Sequence, residues 1–378
     1  MMKTYKMKNL HSTSTKVDGF TLVELMIAIT LGLVLVAGVA YTYLGNRATY
    51  RQQDNLARIQ EGARYAFEAL DFDIRMTGFT GCTASTTANV LSPTTAVDGN
   101  LFTQPLTGYQ EDVSTFPTTI AATRLRGDAI SVLRANTDRE YLVTGSPAHN
   151  PASAQFQLTA PHDLMQGEIL VVTDCMHASI FQMTNVNMNG APPTVNHNQG
   201  NSTAPGNCTG GFGLTAGGVP NCGSVLGVPY TYAANSRVLR LSGNTYFVGT
   251  NAAGQPALFR QRLTQGGGNA TTVAEELVEG VEDMQISYGV DRSPTADGVV
   301  DIYLTANGVT AVATPGATDA DRWRRVLSVK IELLMRSTEN NVTTAPQPYT
   351  FNSVANPNPG DRRLRKVFTT TVAIRNRL

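Results

Sequence analysis

From Phe20 to Leu44 the chain is apolar apart from Thr, Gly and Tyr, and its one charge is Glu24. At about 1.5 Å rise per residue such a run crosses a hydrocarbon core of about 30 Å. The pattern then changes. Leu56, Ile59, Ala63, Phe67, Leu70 and Ile74 recur at spacings of three and four, the apolar face of an amphipathic helix. Arg58 and Glu61, Arg64 and Glu68, and Asp71 and Arg75 are spaced to pair on the opposite side. No proline precedes Pro93, so nothing forces a break from Phe20 to Met76, roughly 85 Å of helix. Its first half is expected to protrude and its second half to dock on the chain's own sheet.

Beyond residue 77 the periods shorten. Strands are predicted at Asp128–Arg134, Ala154–Leu158, Glu168–Asp174 and Ser179–Asn185, then as a meander over R-V-L-R-L, T-Y-F-V-G and A-L-F-R-Q-R-L. Val273 to Asp283 reads as a short acidic helix or turn. Asp297-Gly298 is a hairpin signal, and Trp323 to Arg336 alternates from Val326 onward. Residues 83–125 read as a surface excursion with short strands at most. Residues 187–224, rich in Asn, Gly and Pro, read as a long solvated loop. The fold class is therefore α+β: a long N-terminal helix packed on a large, mainly antiparallel sheet. The predicted organisation is a leader over 1–19, a membrane helix over 20–45, an amphipathic helix over 46–77 and a β-rich head over 78–378, in one lobe or two.

Composition narrows the class. Formal net charge is zero and 15% of residues are charged, which argues against electrostatic steering towards nucleic acid. Lys3, Lys6, Lys8 and Lys16 stand against Asp18 ahead of the apolar run, which places the N-terminus in the cytoplasm and the head outside. All four cysteines, Cys82, Cys175, Cys208 and Cys222, follow the span, and an even count on an exported side fits disulfides. Three pairings are open. We prefer Cys208 with Cys222, closing a short Gly-rich loop, and Cys82 with Cys175, tying the helix end to the sheet.

A carboxylate four residues into a membrane span is costly and marks a functional position. The run G-F-T-L-V-E-L-M-I-A resembles the processing site of type IV prepilins and of the pseudopilins of type II secretion. The resemblance implies cleavage between Gly19 and Phe20 by an inner-membrane prepilin peptidase, N-methylation of Phe20, and a role for Glu24 in assembly. After cleavage the Phe20 amine lies one helical turn from Glu24. Where such helices bundle, the carboxylate of one subunit can neutralise the amine of its neighbour, since either charge left alone in an apolar bundle costs several kcal/mol. An ordinary signal peptide cut at Gly38-Val39-Ala40, or an uncut anchor, explains neither Gly19-Phe20 ahead of the run nor Glu24 within it.

Three further stretches are similar to the PilW family of minor pilins: the turn Gly78-Phe79-Thr80-Gly81-Cys82, the run Gly167 to Thr184, and the terminal R-R-L-R-K-V-F-T-T-T-V-A-I-R-N-R. The resemblance implies a minor pilin acting with FimU-, PilV- and PilX-like minor pilins and the major pilin. It further implies that the complex primes assembly at the pilus tip and presents a large adhesin, with twitching motility, adhesion and DNA uptake following indirectly. The J-type pseudopilin of type II secretion and a membrane-anchored exported enzyme are the alternatives. Catalysis is not expected: no nucleophile, metal-protease or phosphate-loop motif occurs, and His149, His162, His177 and His197 are scattered. Asp174-Cys175-Met176-His177 is a candidate only with Cys175 reduced. Asp291, Asp297 and Asp301 surround the Asp297-Gly298 turn but lack the alternating ligands of a calcium loop, so neither metal nor cofactor is expected. Arg362, Arg363, Arg365 and Lys366 read as the exposed start of a strand, with charges that discourage edge pairing, and not as a nucleic-acid surface.

Overall fold

The computed structural model describes residues 19–82, 86–92, 104–111, 116–121, 123–188, 190, 192–200, 203–311 and 318–377. Of the leader expected over 1–19, residues 1–18 lie outside the described residues. Cα packing divides the chain into a unit up to Asp54 and a unit from Asn55 to Leu378.

In the first unit the dominant element is the start of helix α1 (Leu22–Arg75). By length and composition this part can cross a membrane. Leu25, Ile29, Leu33, Val36 and Val39 are all more than half exposed, so the protein itself offers these side chains no apolar cover.

In the second unit the remainder of α1 buries Ile59, Ala63, Ala66, Leu70 and Ile74, the three-and-four spacing that a helix turns to one side. That stripe lies in a core with Val281, Met284, Ile286, Val329, Ile331 and Leu333. The strands supplying them are β14 (Val281–Val290) and β16 (Val326–Arg336) of a four-stranded antiparallel sheet, completed by β15 (Ile302–Leu304) and β19 (Arg365–Ala373) in the order β15-β14-β16-β19. Strands are numbered along the chain. A nine-stranded sheet runs β1 (Thr86–Asn89), β8 (His177–Gln182), β7 (Ile169–Thr173), β11 (Arg237–Thr250), β12 (Pro256–Gly266), β13 (Asn269–Glu279). Three strands join it off that path: β2 (Leu106–Tyr109), β3 (Arg124–Ala135) and β4 (Tyr141–Leu142). Among the described residues only β1 beside β8 is parallel. A small sheet β5-β6-β10-β9, from β5 (His149–Asn150), β6 (Gln155–Gln157), β10 (Thr194–Asn196) and β9 (Asn185–Asn187), closes over a separate aromatic core. A hairpin of β17 (Tyr349–Phe351) and β18 (Val354–Asn356) forms a two-stranded sheet of its own that packs on the four-stranded one, with the Asn352 N–H donating to Glu332.

Four sequence expectations are corrected. Val273 to Asp283 is not helical: it is the end of β13 and the start of β14, turned by Gly280 at φ 83. Glutamates at 275, 276 and 279 belong to a solvated edge strand, where Glu275 pairs with Arg260 of β12. The runs R-V-L-R-L and T-Y-F-V-G are one strand, β11, because Ser242-Gly243-Asn244 continues the ladder to β3 without turning. Within residues 187–224 the expected solvated loop holds towards the end, where Ala216–Val219 and Cys222–Gly223 are exposed; before that, Val195, His197, Asn207, Thr209 and Phe212 are buried, and Val195 and Phe212 fill the aromatic core. Arg365 is not an exposed residue at the strand start but a buried ion-pair partner.

Candidate functional site

The processing motif stands at the start of α1. Phe20 is 88% exposed, and the backbone at Gly19 and Phe20 is non-helical. Thr21 then caps the helix. Its hydroxyl accepts the Glu24 N–H at 3.2 Å, while the Glu24 carboxylate Oε2 accepts the Thr21 N–H at 3.1 Å and the Thr21 hydroxyl at 3.0 Å. This reciprocal pair satisfies donors that the first helical turn leaves open, and an acid here also suits the positive end of the helix dipole. The signal was present as T-x-x-E, Thr21 to Glu24, but sequence reasoning assigned Glu24 only to assembly. The carboxylate keeps acceptor capacity on Oε1, so capping leaves it able to take a further donor.

At the other end of α1, Gly78 at φ 78 and Gly81 at φ 100 turn the chain as the G-F-x-G-C stretch suggested. The turn delivers Cys82 to Cys175, between β7 and β8, with Cα atoms 5.3 Å apart in a disulfide; Cys208 is bonded to Cys222. With Cys175 bonded, the Asp174–His177 stretch has no thiol to activate. The Asp174 carboxylate accepts the Met176 and His177 N–H groups and the Tyr230 hydroxyl, and His177 contacts Thr86 and the Phe212 carbonyl.

Two histidines far apart in sequence are brought together. His149 Nε2 lies 3.2 Å from His197 Nε2, both buried among Phe156, Phe181, Phe212 and Tyr232. Tyr232 N–H donates to His149 Nδ1. The His149 proton is therefore on Nε2 and is donated to His197, whose own proton stands on Nδ1, without a hydrogen-bond partner. Burial lowers the His149 pKa to about 4 and holds His197 well below the ordinary histidine range, so the pair is neutral at pH 7. No spacing rule could have found this pair, because the small sheet alone sets it. Among the described residues, no group of three His, Cys, Asp or Glu is placed to hold a metal.

The Asp291 turn is internally satisfied. Its carboxylate accepts N–H groups of Ser293, Asp297 and Gly298 at 2.8–3.0 Å and faces Arg325 at 3.9 Å. Asp301 accepts the Arg292 N–H. In the terminal basic group, Arg365 is bound by Glu282 at 2.7 Å and Asp361 at 2.9 Å. Arg363 donates to the Ser337 and Thr338 carbonyls, and Arg362 and Lys366 remain exposed.

An apolar capped helix able to cross a membrane, continued into an antiparallel head with two disulfides, fits a pilin-type protein. The prokaryotic N-terminal methylation motif matches residues 15–40, and the family described as type IV pilus-assembly protein W (PilW) matches residues 245–376. Over these residues the chain is similar to the PilW family and to N-methylated pilins, and the matches support the role of a type IV minor pilin. No curated protein and no solved structure matches the chain.

Proposed function

We propose that this chain is a minor pilin that primes type IV pilus assembly in a complex with other minor pilins at the filament tip, without catalysis of its own. The observation that carries the reading is the match of the methylation motif to residues 15–40 around Gly19, Phe20 and Glu24, ahead of a helix able to span the membrane. In this reading the leader stays cytoplasmic, α1 anchors the chain in the inner membrane, and the head folds in the periplasm. The prepilin peptidase cuts between Gly19 and Phe20, and Phe20 is then N-methylated. The new amine is charged, and Glu24 is held in the first helical turn by Thr21 with one oxygen still open. In a bundle of like helices that oxygen meets the amine of a neighbouring subunit, which removes two isolated charges from an apolar interior. FimU-, PilV- and PilX-like pilins and the major pilin are the neighbours, and a large adhesin is the cargo of the complex.

Glu24→Gln tests the reading. The variant is expected to be processed and inserted normally, yet to fall severalfold in pili sheared from cells, measured by immunoblot against the membrane pool. Equal incorporation would overturn the charge-pairing step. Absence of the wild-type chain from both pili and minor-pilin complexes would overturn the pilus reading itself.

A further inference from the structure

β19 is the outermost strand of its sheet: no strand is hydrogen-bonded to its outer side, and the β17–β18 hairpin packs against it without joining the ladder. Arg365 N–H points away from β16 and donates to Gln347 Oε1, whereas Ile374 N–H points inward to the Leu327 carbonyl. Strand alternation therefore turns the N–H and C=O of Val367, Thr369 and Thr371 outward, and among the described residues none of them has a partner.

This edge differs from the other long one. β13 carries Glu275, Glu276 and Glu279, charges of the kind that keep sheet edges from pairing. β19 has no acid, and its first arginine is withdrawn into the pair with Glu282. Three threonines occupy its middle. Beside it Phe368 is only partly buried on the core-facing side, with Lys366 Nζ 5.3 Å from its ring. Arg362, Lys366, Arg375 and Lys330 are exposed around the edge. The acids nearby are already engaged, Asp361 with Arg365 and Glu332 with the Asn352 N–H.

We propose that the β19 edge is a docking site for an extended acidic strand of another protein, which adds antiparallel or parallel to the sheet as a fifth strand. The backbone of Val367, Thr369 and Thr371 supplies the hydrogen bonds, Phe368 takes an apolar side chain, and the surrounding cations select glutamate or aspartate at the alternate positions. A second copy offering its own acidic β13 edge is the competing occupant.

The test uses the full chain in detergent with a capped heptapeptide of alternating Val and Glu as probe, read by residue-resolved amide hydrogen exchange. Saturating peptide is expected to slow exchange at Val367, Thr369 and Thr371 by about tenfold or more, and to leave the β13 amides unchanged. The same peptide N-methylated at alternate positions should give no protection, nor should the Val/Lys version. Thr369→Pro, which deletes one outward N–H, should abolish protection, and Thr369→Val should keep it. No slowing at these three amides, or equal slowing by the N-methylated or lysine peptide, overturns the proposal. Protection that grows with protein concentration in the absence of peptide also overturns it, by assigning the edge to a second copy. Because the probe is a peptide and the sample is purified, a negative result leaves the pilus reading standing.

Discussion

Arg134 on β3 donates through Nε to the carboxylate of Asp73 on α1 at 2.8 Å, inside the protein, where the Asp73 side chain is 3% exposed. Tyr246 and Asn244 of β11 donate to the second oxygen. Asp73 lies in the last turn of α1, where the helix dipole disfavours a negative charge, so it depends on these three donors. They fix the helix end to the nine-stranded sheet at one rotation and one height. Arg134→Ala should therefore destabilise the head by about 3–5 kcal/mol, the usual cost of leaving one member of a buried pair alone. Chemical unfolding followed by tryptophan fluorescence measures it, since the single Trp323 lies in the same core as α1.

Acid should loosen the head through its histidines. His149 is held neutral by burial, with a pKa of about 4 against an ordinary 6.5. The unfolded chain takes up its proton below pH 6.5, whereas the folded chain resists until pH 4. Stability is thus complete above pH 6.5 and falls as pH drops, by ~1.4 kcal/mol per pH unit for His149 alone. His197 shifts in the same direction and steepens the slope. His149→Phe should flatten the dependence of urea midpoint on pH between 6.5 and 4.

Asp283 works with the opposite sign. Burial raises its pKa to about 6, so the folded state favours the protonated form. The stability it contributes is present below pH 3.8 and is lost as pH rises through 6. Asp283→Asn should stabilise the protein at pH 7 by ~1–3 kcal/mol and make little difference at pH 3.5. Paired unfolding curves at the two pH values check this.

The two disulfides should contribute unequally. Cys82–Cys175 closes a loop over a separation of 93 residues and Cys208–Cys222 over 14. By loop entropy alone, removing the first should cost about 4.5 kcal/mol and removing the second about 3. Serine pairs at each bridge, compared by melting temperature, measure the difference.

The terminal basic group separates into members with different jobs. Arg365→Ala leaves buried Glu282 with only the looser Arg336 pair at 3.8 Å and should cost about 3 kcal/mol, while Arg362→Ala, at the surface, should stay within about 0.5 kcal/mol. Unfolding midpoints of the two variants decide this.

What could be read ahead of the structure was local. The apolar stripe of α1, the Gly78–Gly81 turn and the alternation of β16 each express a period or a glycine requirement within a few residues, and each lies where the sequence places it. What escaped depends on partners far along the chain. Asp73 looked like one acid among several in D-F-D-I, because Arg134 and Tyr246 are 61 and 173 residues away. The acidic β13 looked helical because its glutamates face solvent on an edge, where apolar alternation is weak. The 187–224 stretch looked solvated because its few apolar residues, Val195 and Phe212, do not recur with any period, yet both fill the aromatic core. Glu24 carried two signals at once, and the capping box was hidden behind the processing motif.

In the proposed function, the cut between Gly19 and Phe20 turns a capped membrane helix into an assembly-competent one. Intact mass and N-terminal peptide mass spectrometry of the chain purified from membranes of its own cells tests it most directly. The mature protein is expected to begin at Phe20 with one methyl group on its amine. A chain that retains its leader, or that starts after Ala40, would contradict it.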